Sequence, residues 1–490
     1  MIKTSTLSIL FFLTLTAALF FVSFGGCNDS PVNSGETVSF SADILPIFEA
    51  NCNFPGCHNS TDKQAGINLT SWSTIMLNGS TFGSEVIPYN SKWSHLVQHI
   101  NIDTNIAPVS EPLMPQAKVP FTNGQPLGRN ILEKILRWID EGAKNDNGDV
   151  AFANITRKAF ITNQASDYVA VVNLDNMFLT RYVKVGESVN TLAAPHNVAV
   201  DNQGRYFYVT LIAEGYIEKY DAMSYSKLGR LYAVTAPGHV IISPDGTKGY
   251  VTNYNVNGSE RFIKSFNTAD MTVLNTISDV TMNGTHGGRF TSDGEYLIIV
   301  AELGEYIQII NTVSDEIVQT IPVAGIVPPN GNGTGFFRPI AVSLSPDDKY
   351  AFITCDRSND VRVLDLNTRQ IIREIPTGLF PIQSECSPDN RWLYVANRNS
   401  NSVTVIDIST LTVFKTISNI GAQPHGVAFT PDGRYAYVTC ESVSGSFVHH
   451  PPVGSSVPGT TAVISVTNNH TKVKDIEMAS FPAGISITKQ

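Results

Sequence analysis

After Asn145-Asp-Asn-Gly-Asp149 the chain settles into short β-branched and aromatic runs parted by turn residues, the pattern of strands. One run recurs seven times, at Ala159–Asn163, Tyr206–Thr210, Gly249–Asn253, Tyr296–Ala301, Tyr350–Cys355, Leu393–Asn397 and Tyr435–Cys440. Aligned on Thr162, Thr210, Thr252, Val300, Thr354, Ala396 and Thr439, the intervals are 48, 42, 48, 54, 42 and 43 residues, the length of a four-stranded propeller blade. Turns such as Ser243-Pro-Asp-Gly246 and Thr430-Pro-Asp-Gly433 precede the repeated strand. Proline presets the first corner, and Asp or Gly tolerates the second. Further strands follow, as in Asn401–Asp407 and Val413–Ile417. The C-terminal stretch Phe481–Lys489 has the pattern of the innermost strand, which the first unit lacks. It is predicted to complete blade one and seal a seven-bladed ring over residues 155–490.

The N-terminal part reads differently. Ile44, Ile47 and Phe48 fall at helical spacing, and Ile131, Leu132, Ile135, Leu136 and Ile139 share one face of an amphipathic helix that ends near Gly142. The predicted fold is therefore a small all-α domain over 38–148 followed by an all-β seven-bladed propeller. Ahead of it, Met1-Ile-Lys3 and an apolar run from Leu7 to Phe24 read as an export signal over 1–26, with an uncleaved anchor helix as the alternative. Residues 27–37 read as a polar tether. Ser23-Phe-Gly-Gly-Cys27 looks like a lipobox, which implies a lipid anchor on Cys27 and an extracytoplasmic, bacterial-envelope location.

The sharpest chemical signal lies inside the helical part. Cys52-Asn-Phe-Pro-Gly-Cys57-His58 sets two thiols and an adjacent imidazole as in C-x-x-C-H haem attachment, with a longer bridge that Pro55 and Gly56 turn back. A disulfide or a zinc site are the alternatives, but no second Cys or His pair follows at finger-like spacing. The surrounding order of motifs includes Phe40–Asn51, Ala65-Gly-Ile-Asn-Leu69, Leu113-Met-Pro115 and Trp138-Ile-Asp-Glu-Gly142. It resembles the monohaem cytochrome c domains of extracytoplasmic bacterial proteins. That resemblance implies one covalent haem c on Cys52 and Cys57, His58 as one axial ligand and Met114 as the other, with His99 or His95 as rivals to Met114. The repeat, literal at Tyr250-Val-Thr-Asn253, resembles the propeller family named for those four residues.

Within the propeller, counting back eight residues from each turn places His196, His286 and His425 at the starts of innermost strands, with His239 one residue out of register. They are candidates for a metal or cofactor site at the central channel, as in propellers that hold metals on strand histidines. The alternative is that Pro-His-Gly-Val ahead of an inner strand is common in the propeller family that the repeat resembles without any metal, and Ile340, Ile382 and Ala483 leave the ring of histidines incomplete. Phe447-Val-His-His-Pro-Pro-Val453 reads as a docking loop. Of six cysteines, Cys355, Cys386 and Cys440 remain after the motifs and read as buried apolar residues, with a Cys355–Cys386 bridge left open. Lys and Arg total 33 against 43 Asp and Glu, a formal charge of −10, which disfavours nucleic acid as a partner. No nucleophile elbow or phosphate-binding glycine loop is present. The expected function is electron transfer with a redox partner protein, the propeller serving as platform. The alternatives are a redox enzyme with its site at the propeller channel, or a surface binding protein.

Overall fold

A computed structural model describes residues 37–80, 83–116, 126–255, 259–325, 331–442 and 457–489. Seven antiparallel sheets of four strands each account for the β part. The recurring run is the second strand of every blade and is buried almost from end to end, from Lys158–Asn163 in blade one to Tyr435–Cys440 in blade seven. Outermost strands such as Thr272–Ser278 and Thr412–Ser418 are mostly exposed. This gradient explains why the second strand carries the clearest signal: both its faces pack against other blades, so it tolerates little but apolar residues.

The recurring threonine has its own structural reason. In blade one the Thr162 hydroxyl donates to the carbonyl of His196, at the start of the next blade's innermost strand, at 2.9 Å. Thr210, Thr252, Thr354 and Thr439 do the same to Gly238, His286, Ile382 and Ala483 at 2.6–2.9 Å. Each such bond satisfies a buried carbonyl at the seam between blades, where an unmet acceptor costs about 1–3 kcal/mol.

Closure follows the expected route. Pro482–Ile487 pairs antiparallel with Lys158–Asn163, with Ala159 opposite Ile487 and Ile161 opposite Ile485, so the C-terminus supplies the inner strand of blade one. Cys355, Cys386 and Cys440 are buried and free.

The expected separate all-α domain is not there. Among the described residues the N-terminal part has four α-helices: α1 (Leu45–Asn51), α2 (Trp72–Leu77), α3 (His95–Ile100) and α4 (Arg129–Asp140). The first three have 7, 6 and 6 residues, too short to hold themselves without tertiary packing. A core of Ile44, Phe48, Val97, Ile135, Trp138 and Ile139 joins them. Their segment is fused to the propeller, and Val38–Gln490 forms one compact unit. Ile87 and Trp93 enter a core with Ala159, Leu179, Tyr182 and Met478 of blades one and seven, and Ser84 donates to the Leu179 carbonyl. Helical periodicity was a true signal for α4, but the shared core with the blades was invisible to it. The leader, Cys27 and the His449-His450 loop lie outside the described residues.

Candidate functional site

Each innermost strand begins at the channel. His196 and His286 hold equivalent positions in blades two and four, and His425 the same position in blade seven. Blade three has Gly238 there and His239 one residue deeper. A Cβ at 238 would press on the Thr252 hydroxyl at 2.9 Å and meet the His286 ring only at ordinary contact distance, 3.6 Å. The glycine thus spares the hydroxyl that bonds the His286 carbonyl. In the His-Gly of blade seven, a Cβ on Gly426 would come within 2.5 Å of the Ala483 carbonyl oxygen, so glycine lets adjacent inner strands close around the axis.

Ligating nitrogens of His196, His239 and His286 lie within 4.8 Å of one another. His196 Nε2 and His286 Nε2 are 3.3 Å apart. His286 Nδ1 stands 2.9 Å from the Ile340 carbonyl oxygen, which can only accept, so Nδ1 carries the proton and Nε2 presents a lone pair. His196 Nδ1 faces the Gln164 side-chain amide at 3.1 Å; with the amide oxygen turned to it, Nδ1 carries the proton there as well. Two lone pairs then confront each other at about the separation of two nitrogens on one tetrahedral zinc with ~2.0 Å bonds. Such pairs repel unless a cation lies between them. Burial pushes all four imidazoles down, His286 and His425 to about 4 and His196 and His239 well below their ordinary value. They are therefore neutral at physiological pH, the form that binds metals. The His425 ring is 5.6 Å from that of His196, and the Gln383 amide nitrogen 3.5 Å from His239 Nε2.

A second layer surrounds this cluster. The residue just after every second strand donates its backbone N–H to the residue ahead of the innermost strand of its own blade. Gln164, Tyr254, Glu302, Asp356, Arg398 and Glu441 hold this position in six blades. Gln164 reaches His196, and the Tyr254 ring packs edge-on at 4.9 Å against His286. Sequence reading missed these residues. Their common position directly after the repeated strand was the signal that pointed to them.

The other marked residues lie in the helical segment. Cys52 caps the end of α1, the Pro55-Gly56 turn carries Cys57 back, and the His58 N–H donates to the Cys52 carbonyl at 3.1 Å. Both thiols are free. His58 Nδ1 is buried without a hydrogen-bond partner, and burial holds its imidazole below its ordinary value. Met114 packs on the core that contains Cys52, and its N–H donates to the His99 carbonyl. His99 Nδ1 faces the Pro112 carbonyl at 3.0 Å. His95 points the other way, to Glu477 of blade seven at 3.2 Å. A cleft of about 700 Å³ lined by Trp392, Phe414 and His470 contains none of the marked residues.

The chain is similar to a crystallised, functionally unknown protein from Desulfotomaculum acetoxidans at 13% identity and a TM-score of 0.53, over 68% of this chain and 98% of that one. It also matches Kuenenia stuttgartiensis hydrazine synthase at 18% identity over 59% and 68% of the two chains, with a TM-score of only 0.34. No curated protein matches it. The profile of the family described as "Lactonase, 7-bladed beta-propeller" matches residues 187–448, more than half of the chain and all four channel histidines. The chain belongs to the lactonase family of seven-bladed β-propellers.

Proposed function

We propose that this propeller is the platform of a metal-dependent redox protein, with one transition-metal ion held by His196, His239 and His286 at the channel. The observation that carries the reading is the convergence of ligating nitrogens of His196, His239 and His286 within 4.8 Å, with His196 Nε2 and His286 Nε2 3.3 Å apart. An all-imidazole donor set suits zinc, copper, iron or nickel and disfavours magnesium or calcium. The His286 Nδ1–H bond to a backbone carbonyl is the outer-shell contact that metal-binding histidines commonly make.

The same reading includes one covalent haem c on Cys52 and Cys57. The residues fit it: two free thiols joined by a turn, and the His58 imidazole with an unpartnered buried nitrogen. Haem would supply one-electron chemistry. This chain's part is to fix the ring through the two sulfurs, to offer His58, and to offer Met114 from the side of His99. The commitment of His95 to Glu477 argues against it as the alternative ligand. The apolar leader and lipobox support export and anchoring through Cys27, which places such a haem where it is attached.

Family membership favours a second reading, hydrolysis of a lactone with the channel metal as Lewis acid. The experiment that decides is metal and haem analysis of the full chain expressed with export and haem-attachment machinery, together with a lactone-hydrolysis assay. Haem-linked peroxidase staining on a denaturing gel, lost in Cys57→Ser and Cys52→Ser together, supports the redox reading. Zinc without haem, together with lactone hydrolysis, supports the second. Absence of both metal and haem contradicts both.

A further inference from the structure

Two guanidinium groups flank the histidine cluster, and each is backed by buried carboxylate. Arg338, just ahead of the blade-five inner strand, pairs with Glu302 and lies 3.9 Å from Asp356. Arg398 donates to Glu441 at 2.9 Å and to the Gln423 amide oxygen at 3.3 Å. The carboxylates are 0–3% exposed, whereas the Arg338 and Arg398 side chains keep 21% and 24% of their surface open. The acids thus lie behind and the guanidiniums in front. Arg338 also reaches Tyr254, whose ring packs on His286, and the Arg398 charge is felt at His425.

A guanidinium gripped from behind by carboxylate has its plane fixed; Arg398 spends Nε and Nη2 on Glu441 and Gln423, which leaves Nη1 to meet an anion.

We infer that Arg338 and Arg398 form the anion-holding half of the channel site, and that its ligand is a small carboxylate or oxyanion that reaches the metal from their side. The inference rests on the metal reading above and names the substrate class for that site.

The test uses the full chain loaded with Cu²⁺ and titrated with azide as the anionic probe, followed by the azide-to-copper charge-transfer band. Saturable binding is expected. The double variant Arg398→Gln/Glu441→Gln, which leaves no buried carboxylate unpaired, should weaken it about tenfold, equivalent to ~1.4 kcal/mol, with copper stoichiometry unchanged. Because Arg338→Gln alone strands the buried Glu302, the double variant Arg338→Gln/Glu302→Gln removes both charges and should weaken azide to a similar degree. Lys349→Gln, an exposed cation on a blade turn, controls for net charge and should change nothing. Copper binding with azide affinity unaltered in both arginine variants overturns the inference and leaves the metal reading standing. If the wild type binds no copper, the metal reading fails. Calorimetry with acetate on the metal-free protein then decides: arginine-dependent binding supports the anion site alone, and no binding overturns it.

Discussion

At the residue scale the account turns on which nitrogen of each imidazole carries its proton. The Ile340 carbonyl fixes that choice for His286, and the Gln164 side-chain amide is the partner that sets it for His196. Removing the side chain that fixes it should loosen the metal without touching a ligand. Gln164→Ala is expected to weaken metal binding about tenfold, the usual effect of losing an outer-shell partner, measured by competition with a chromophoric chelator. His286→Ala should weaken it far more. The histidines were legible in the sequence because the repeat assigns each a register position. His239 looked displaced on that register. It is nevertheless part of the cluster, beside a glycine at the register position itself, a placement that spacing alone does not encode. The arginines were not legible because their meaning lies in cross-blade pairing with Glu302 and Glu441, residues 36 and 43 positions away along the chain.

At the scale of the element, the blade seams hold the ring. Thr439→Val deletes the hydroxyl that meets the Ala483 carbonyl at 2.6 Å while keeping the side chain's shape. Denaturant unfolding should show a loss of about 1–3 kcal/mol, whereas the exposed Thr412→Val should fall within about 0.5. Truncation after Phe481 removes the inner strand of blade one and opens its edge, so aggregation or a large fall in melting temperature is expected by light scattering and calorimetry. A truncated chain that melts like the full one would contradict this closure. The second strands were readable because each repeats a two-faced buried pattern. Helices α1 to α3 were less so, since short helices take their stability from what they pack against, here partly the propeller itself.

On the scale of the whole molecule, the N-terminal segment lies across the outer strands of blades one and seven, on either side of the seam that the C-terminal strand closes. The Tyr182 hydroxyl of blade one accepts the Ala479 N–H of blade seven at 2.8 Å, and Trp93 packs 6.5 Å from its ring. His95 and Glu477 complete the contact. Burial opposes charging of His95, but Glu477 outweighs it and the histidine's pKa is raised. A raised folded-state pKa contributes stability that is complete below the unfolded value of about 6.5 and is lost as pH rises through the folded value. The stability difference between wild type and Glu477→Gln should therefore shrink as pH rises from 6 towards the folded pKa and beyond, read by melting at matched ionic strength. A difference independent of pH would remove the charged pair from the account.

The central claim is that the propeller axis is a metal site built from histidines of three blades. Elemental analysis of the purified full chain, after removal of loosely held ions, tests it most directly. One transition-metal ion per chain beyond any haem iron is expected, lost in the His196→Ala/His286→Ala double variant while haem-linked staining is unchanged. A wild-type chain that carries no such ion and binds neither Zn²⁺ nor Cu²⁺ more tightly than about 1 μM would contradict it.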